Sequence, residues 1–231
     1  MNSIKLALIV PVFNEEKTIV ELLNRLQFLR SLCNLEIIVV NDSSTDSTFQ
    51  LLNNNINLID QLENNNKNMG KGYSVLQGIK KSKSDYIMIQ DADLEYDPKD
   101  ITKFIEMIKS FAPDLIIGSR FKYDLYSRSH NFYNKIGNHL ITLIFNLLNN
   151  TTFSDIYSCY ICFKKNKLNV EKIKSNGFEQ QSEILTNIVK NGSAFFEVPI
   201  NYNGRNHNEG KKIRFYHIFP TIYQLIKHKI F

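Results

Sequence analysis

The sequence predicts an α/β fold with a mostly parallel central sheet flanked by helices. Apolar, β-branched runs of strand length alternate with segments of helical periodicity through most of the first 120 residues. This alternation is typical of parallel sheets with helices on both faces. Three of the runs end in turns rich in Asn, Asp and Ser. Because parallel strands end at the same edge of a sheet, we expect these polar turns to meet in one crevice.

The elements of the first half follow from local pattern. A strand at 5–12 stops at Pro11 and Asn14, and apolar spacing of three and four residues predicts a helix at 15–30. A second strand at 35–40 leads to a turn at 42–45 with cap residues for a helix ending near 52. Asn-rich turns enclose a short strand or irregular piece. A helix at 70–83, a strand at 85–90, a helix at 98–110 that Pro98 begins, and a strand at 115–118 complete this half.

The second half is less regular. Residues 121–131 read as a polar, aromatic and basic loop long enough to move. Helices are predicted at 133–148, 181–190 and 216–230, and strands at 155–163 and 194–202. We see no internal repeat or linker. We therefore expect a single domain over residues 1–231, with a regular first half at 1–120 and a second half at 121–231 that ends in a basic, amphipathic C-terminal helix.

The net charge of +5 is concentrated at the C-terminus. Residues 203–231 hold six Lys or Arg and one acid, whereas the remainder holds 22 basic and 22 acidic residues. Such a tail suits phosphate groups or an anionic membrane surface. No nucleic-acid-binding motif accompanies the charge, so we expect no nucleic-acid partner.

Cysteine content and apolar runs bear on location. The three cysteines are an odd count, Cys159 and Cys162 lack a second pair for zinc, and no targeting peptide is evident. No apolar run is long enough to span a bilayer. We expect a reduced, cytoplasmic protein held peripherally at the cytoplasmic face of a membrane by residues 216–230, with 133–148 as a second apolar surface. The alternatives are that these helices pack on the core or form a homodimer.

The pair Asp91 and Asp93 is the most informative feature, because it follows directly after an apolar strand. A turn at the strand end can bring both carboxylates to one hard cation and the phosphates that it bridges. The first two strands end in 11–15 and 41–48, which add further carboxylates and turn amides. The segment 68–72 adds a glycine-rich helix entry with Lys71, but it matches neither a P-loop nor a Rossmann fingerprint. A crevice of this kind fits a nucleotide with its metal.

These motifs occur in the order seen in family 2 glycosyltransferases, and the chain most resembles the dolichol-phosphate mannose synthase-like, or polyprenyl-phosphate glycosyltransferase, group. The resemblance covers residues 4–214. It is carried by Pro11-Val12-Phe13-Asn14-Glu15, Asn41-Asp42-Ser43-Ser44-Thr45-Asp46, Gly70-Lys71-Gly72, Asp91-Ala92-Asp93-Leu94, Gly118-Ser119-Arg120, Gly137-Asn138, Asp155, Cys159-Tyr160, Glu183 and Arg205 through Glu209-Gly210-Lys211-Lys212-Ile213.

The resemblance implies a GT-A fold and an inverting, metal-dependent transfer from a UDP- or GDP-linked sugar. It implies that residues 1–120 bind the nucleotide sugar and that residues 121–231 form the acceptor side. It implies that Asp91 and Asp93 hold Mg²⁺ or Mn²⁺ on the diphosphate, and that Asp42 lies near the base. The donor and its metal would be bound by Pro11, Phe13, Asn14, Glu15, Asp42, Lys71, Asp91, Ala92 and Asp93.

The acceptor is implied to be a polyprenyl phosphate of the dolichyl type. Candidates for binding it are Arg120, Arg128, Asn138, Glu183, Arg205 and Lys211, and the candidate catalytic residues are Asp93, Asp155 and Arg205. Transfer to a hydroxyl needs a general base, which Asp155 could supply. A phosphate acceptor is already ionised, and Asp155 would then only position it.

Three departures from the family pattern keep alternatives open. Asn41 and Ser43 stand where the family usually has Asp and Gly, and Ile161 stands where it usually has Arg or Lys. Loss of a basic residue at 161 removes one presumed phosphate contact. The first alternative is therefore the same donor chemistry with a saccharide or other hydroxyl acceptor. A second alternative is a non-catalytic protein that binds sugar nucleotides.

Overall fold

The computed structural model describes residues 4–122, 132–177, 179–204 and 225. Within them, seven strands form one sheet: β1 Lys5–Val12, β2 Asn34–Asn41, β3 Gln61–Asn64, β4 Tyr86–Ile89, β5 Leu115–Ser119, β6 Ile161–Lys164 and β7 Phe195–Pro199. Their order in the sheet is β3-β2-β1-β4-β6-β5-β7.

All neighbouring strands are parallel except at β6, which runs antiparallel to both β4 and β5. The sheet is thus mostly parallel, as predicted. Because β6 runs in the opposite direction, its first residues lie at the edge where β1, β2, β4 and β5 end. The register confirms this, since Met88 late in β4 pairs with Cys162 early in β6. Cys159 and Tyr160, which precede β6, therefore lie beside the loop that follows β4.

Helices cover both faces of the sheet, and each face has its own apolar cluster. The helices are α1 Ile19–Leu26, α2 Thr48–Asn54, α3 Lys71–Lys81, α4 Ile101–Phe111, α5 Phe132–Asn149 and α6 Gln180–Asn191. On one face Leu6, Leu8 and Val10 of β1 pack with α1 and α4. On the other, Ala7 and Ile9 pack with α3, α5 and α6.

Several predicted boundaries were wrong for local reasons. The helix predicted at 15–30 begins only at Ile19, because the Glu15 carbonyl first closes a turn with the amides of Thr18 and Ile19; a 3₁₀ turn, Gln27–Ser31, ends it. The strand predicted at 155–163 is limited to β6. The strand predicted at 194–202 ends at Pro199, and Tyr202 instead forms an isolated antiparallel bridge with Tyr96.

The predicted helix at 216–230 lies outside the described residues except for Leu225, which is helical and buried. Most of the predicted 121–131 loop also lies outside them. No helix in the described ranges is both long and apolar enough to cross a membrane.

Candidate active site

The loops after β1 and β2 are joined by polar contacts into one wall of the crevice. The Asn14 amide donates to Ser44 Oγ at 3.0 Å, and Asn14 Oδ1 accepts from the Thr45 amide at 2.8 Å. The Glu15 amide donates to Thr48 Oγ1 at 2.9 Å. Asn14 has a φ of 54°, a left-handed conformation that Asn tolerates better than most residues. These contacts place the predicted nucleotide-binding segment 11–15 against the turn after β2.

The structure explains one of the two departures from the family pattern at the end of β2, Asn41, and gives no reason for the other, Ser43. Ser43 has a φ of 60°, the left-handed region that favours the glycine usual at this position. Asn41 is buried, donates to Asn64 Oδ1 on β3 and accepts from Ser44 Oγ at 2.6 Å. An amide can donate and accept in this way, whereas an ionised carboxylate can only accept. Asn41 therefore joins β3 to the turn.

Asp42 holds the loop that enters α3. Its carboxylate is 3% exposed and accepts from Asn65 Nδ2 at 2.7 Å and from the amides of Met69 and Gly70 at 2.9 and 2.8 Å. Gly70 has a φ of 93°, so only glycine fits this turn without strain. In this structure both carboxylate oxygens bind the protein itself, so Asp42 fixes the loop between β3 and the helix that begins at Lys71.

The acidic pair follows β4 in the middle of the sheet. Asp91 Oδ1 accepts from Lys71 Nζ at 2.5 Å, and Lys71 is the first residue of α3. Asp93 Oδ1 accepts from the Glu95 amide at 3.1 Å, and Leu94 between them has a φ of 60°. This tight turn keeps both carboxylates at the strand end, and both are partly exposed to the crevice.

Lys71 joins the acidic pair to the chain before β6. Its Nζ also lies 3.2 Å from Cys159 Sγ. Burial lowers the pKa of Lys71, but the negative charge of Asp91, the neighbouring Cys159 and the hydrogen bonds to both together raise it above its ordinary value, so the ammonium stays charged. Burial and the nearby Asp91 charge raise the pKa of the Cys159 thiol to about 12. The cluster at neutral pH is thus a carboxylate, an ammonium and a neutral thiol.

The residues present fit a divalent metal held with the help of a ligand. No group of three His, Cys, Asp or Glu side chains within the described ranges could bind a metal by itself. Two hard carboxylates remain at 91 and 93. Mg²⁺ is commonly bound by one or two carboxylates together with substrate phosphates. The donor set therefore suits a metal that arrives with a diphosphate.

Arg120 and Asp155, both predicted to serve the acceptor, bind each other. Arg120 Nε donates to Asp155 Oδ2 at 2.7 Å and Nη2 donates to Oδ1 at 2.8 Å, while the Arg120 amide adds a bond of 3.1 Å. Asp155 is fully buried, and the Arg120 side chain is 11% exposed. In this arrangement Asp155 fixes the guanidinium and does not face the crevice. The third guanidinium nitrogen of Arg120, Nη1, takes no part in this ion pair.

An aromatic stack surrounds Arg120. Its guanidinium lies 5.2 Å from the ring centroid of Tyr202, and Tyr96 packs between Tyr202 and Tyr160 with centroid distances of 5.0 and 4.7 Å. Tyr202 donates to Glu95 Oε2 at 2.6 Å. The chain that leads toward Arg205 is thus attached to the loop that follows Asp93.

Glu183 is a buried residue of α6 that binds backbone. Its Oε2 accepts from the amides of Lys174 and Ser175 at 3.0 and 2.9 Å. The same turn brings the Asn176 carbonyl to the Gly72 amide at 2.9 Å, and a Cβ at Gly72 would lie only 2.6 Å from that carbonyl oxygen. Glu183 therefore stabilises the turn that contacts the start of α3, whose first residue is Lys71. Its carboxylate is buried and binds backbone amides.

A small cavity of about 30 Å³ lies beside Lys71. A space of this size holds one or two water molecules. Its lining joins α3, the end of β4, the chain before β6 and α6, and consists of Lys71, Gly72, Val75, Ile89, Tyr157, Cys159, Gly177, Gln180, Gln181 and Ile184.

The remaining predicted residues are dispersed. Pro11 is buried in β1, Phe13 and Ala92 flank the crevice loops, and Asn138 is half-buried on α5. Arg128, Arg205 and Lys211 lie outside the described residues.

Sequence reasoning missed several residues of the site. Ser44, Thr45 and Thr48 belong to the quoted motif, and their hydroxyl groups could have indicated a loop-to-loop contact. Gln180 donates to the Gly72 carbonyl at 2.6 Å across 108 positions, and no local pattern indicates that contact.

Comparison with known proteins agrees with this geometry. The sequence model for glycosyl transferase family 2 matches residues 7–169. A low-salt glycan biosynthesis hexosyltransferase, Agl6, from Haloferax volcanii is 28% identical over 87% of this chain and 48% of its own length. A dolichol-phosphate mannosyltransferase from Pyrococcus furiosus is 28% identical over 97% and 62%. A UDP-N-acetylglucosamine–dolichyl-phosphate N-acetylglucosaminyltransferase from Methanococcus voltae is 30% identical over 84% and 83%.

The chain thus spans about half to five sixths of the length of these relatives. Among solved structures, glucosyl-3-phosphoglycerate synthase from Mycobacterium tuberculosis with uridine diphosphate superposes with a TM-score of 0.70 at 14% identity, covering 99% of this chain and 79% of that one. S. aureus TarS with UDP-GlcNAc gives 0.63 at 17% identity, covering 98% and 69%. The chain belongs to glycosyl transferase family 2 and has a GT-A fold.

Proposed function

We propose that this chain transfers a sugar from a nucleoside-diphosphate sugar to a polyprenyl phosphate of the dolichyl type. The observation that carries the proposal is the position of Asp91 and Asp93. They follow the central strand β4, beside the wall formed by the loops after β1 and β2. A nucleoside-diphosphate sugar has a nucleoside and a diphosphate. In this crevice the turn amides could bind the nucleoside, and the carboxylates could hold a cation bound to the diphosphate.

Asp91 and Asp93 would hold Mg²⁺ or Mn²⁺, which would neutralise the charge that develops on the leaving diphosphate. Lys71 lies at the same carboxylate and supplies a second positive charge from the protein. A solved relative in fold is described with Mn²⁺ and uridine diphosphate, which supports a divalent metal with a nucleotide in general. Whether the base is uracil or guanine is decided by the binding experiment below.

The proposed acceptor rests on the relatives and on charge. Two relatives are named for dolichol phosphate or dolichyl phosphate. Arg120 offers its remaining Nη1 near the crevice, and the basic residues after 203 add further positive charge. An enzyme with a lipid acceptor works at a membrane surface, and we place this one peripherally at the cytoplasmic face.

A saccharide or other hydroxyl acceptor is the second candidate, favoured by one observation. Ile161, where the family usually has a basic residue, is fully buried in β6 within an apolar cluster. Asp155 is held by Arg120, so a hydroxyl acceptor would need a base from elsewhere or a rearrangement of this pair.

Donor chemistry is tested by titrating UDP and GDP into the protein with and without Mn²⁺, and by measuring slow release of nucleoside diphosphate from UDP- and GDP-sugars. Asp93→Asn should reduce turnover by about two or more orders of magnitude, because the metal loses a charged ligand. Asp85→Asn is the matched control, since Asp85 is exposed at the opposite end of the same strand. Equal turnover of wild type and Asp93→Asn at saturating donor and metal would refute the assignment.

The acceptor is tested by offering a short-chain polyprenyl phosphate, the corresponding alcohol and simple saccharides with the donor identified in the first experiment. Product with the phosphate alone supports the proposal. Product with a saccharide or the alcohol supports the second candidate. Metal-dependent nucleotide binding without any hydrolysis or transfer would instead support a non-catalytic binding protein.

A further inference from the structure

Helix α5 exposes a continuous apolar row to solvent. Among the described residues, ten large apolar side chains are exposed, and five of them lie on this one helix. Their spacing of three and four positions places them on one face of the helix. We call this row the apolar stripe; its residues, between 46% and 75% exposed, are Phe132, Ile136, Leu140, Leu143 and Leu147.

The stripe is not needed to attach α5 to the fold. The opposite face of the helix carries Ile141 and Phe145, which are fully buried in the cluster beneath the sheet. Thr142 is also buried and its hydroxyl accepts from the Ile156 amide at 3.3 Å. The helix is therefore fixed by one face, and the stripe points away from the core.

Charge distinguishes the kind of partner that the stripe fits. Residues 125–154 contain Arg128, Lys135 and two histidines but no Asp or Glu. Lys135 and His139 are exposed on α5 itself. An amphipathic helix without acids, with the Lys135 ammonium beside its exposed apolar side chains, suits the interface of an anionic bilayer. With 18 residues it is about 27 Å long and would lie along the surface.

A second copy of the chain is a weaker occupant. A stable protein interface uses roughly 20–30 residues from each partner. The stripe is a single row of five residues, and the exposed polar side chains of Lys135 and His139 lie beside it.

The position of α5 places the stripe beside the acceptor half of the site. The His139 ring stacks on Phe121 with centroids 4.5 Å apart, and Phe121 directly follows Arg120. We propose that the apolar stripe of α5 docks the protein onto an anionic bilayer with the Arg120 region next to the lipid surface. The significance for catalysis rests on the proposed lipid acceptor, whereas docking itself is independent of it.

The chain contains no tryptophan, so one substitution provides a unique fluorescent reporter. Leu143→Trp should shift its emission to the blue with vesicles of equimolar phosphatidylcholine and phosphatidylglycerol, and brominated lipids should quench it. Ile56→Trp, at an exposed apolar position outside α5, is the matched control and should not respond. No change in the Leu143→Trp emission on adding vesicles would overturn the proposal.

A second variant tests how much the apolar stripe contributes to the affinity for anionic vesicles. Leu140→Gln/Leu143→Gln/Leu147→Gln should bind anionic vesicles at least tenfold more weakly in flotation, with an unchanged Tm because the side chains are exposed. The matched control, Phe49→Gln/Ile56→Gln/Phe111→Gln, changes three exposed apolar residues elsewhere and should bind like wild type. Unchanged vesicle binding by the stripe variant would refute the assignment. The assignment would also be refuted if wild type were a dimer, the stripe variant a monomer, and vesicle binding the same for both. The stripe would then be a dimer interface.

Turnover with soluble and with vesicle-bound acceptors distinguishes a failure of docking from a failure of the proposed function. The stripe variant should transfer sugar to a short, water-soluble polyprenyl phosphate at the wild-type rate, and should lose at least tenfold with a long-chain acceptor in vesicles. Equal loss with both acceptors would contradict a docking role. If wild type transfers sugar to no polyprenyl phosphate, the proposed function fails. The fluorescence and flotation results still decide whether the apolar stripe binds an anionic bilayer.

Discussion

The pair formed by Arg120 and Asp155 yields a prediction that separates a structural from a catalytic role. Asp155→Asn keeps the size of the side chain but removes its charge. Asp155 is fully buried and the Arg120 side chain is 11% exposed, so the guanidinium would be left with little solvent to replace its partner. Removing one member of a buried ion pair typically costs about 3–5 kcal/mol.

The expected loss is a large part of the total stability of an ordinary domain, about 5–15 kcal/mol. For a chain of this size each kcal/mol lowers the Tm by about 2–4 °C. Asp155→Asn should therefore melt about 6–20 °C below wild type. Differential scanning calorimetry and urea denaturation both measure this loss.

A double-mutant cycle isolates the pair. Arg120→Met should also destabilise the protein, because it leaves the buried Asp155 carboxylate without its positive partner. The double variant Arg120→Met/Asp155→Asn should lose less free energy of unfolding than the two single variants combined. Additive losses would mean that the two side chains do not stabilise each other. A wild-type Tm for Asp155→Asn together with a large loss of kcat would refute the reasoning and identify Asp155 as a catalytic base.

Four further outcomes are expected. Lys71→Met should raise the Mn²⁺ affinity of the donor-free protein roughly tenfold, about 1.4 kcal/mol, because the ammonium no longer competes for Asp91; unchanged affinity in calorimetry would exclude competition. Glu183→Gln should lower stability by about 1–3 kcal/mol through weaker bonds to two amides without changing the acceptor KM, and a raised KM with normal Tm would instead make it a binding residue. Ser43→Val should cost about 1–2 kcal/mol in urea denaturation because of the left-handed φ, whereas Ser43→Gly should be tolerated. Burial raises the pKa of the Cys162 thiol above its ordinary value of 9.0, so the unfolded chain releases its proton first and stability should fall as pH rises through that value; Cys162→Ala should show a smaller fall.

Local pattern was sufficient for the elements of the first half. The strands β1, β2, β4 and β5 were each predicted to within two residues, because continuous apolar runs bounded by polar turns leave little choice of structure. The convergence of the three polar turns followed from parallel strand direction alone. The acidic pair at 91 and 93 could therefore be placed at the crevice from the sequence.

The family resemblance, the mostly parallel sheet and the edge at which a nucleotide sugar is proposed to bind could all be predicted from the amino-acid sequence. Which charged side chains face one another could be found only in the folded chain. Antiparallel β6, inserted between β4 and β5, carries Cys159 to Lys71 across 88 positions, and the neighbouring turn carries Asp155 to Arg120 across 35. Such pairings depend on strand order and direction, which helical or alternating periodicity does not encode. The prediction that Arg120 binds an acceptor came from its place at a strand end, whereas its ion pair with Asp155 could be found only in the folded chain.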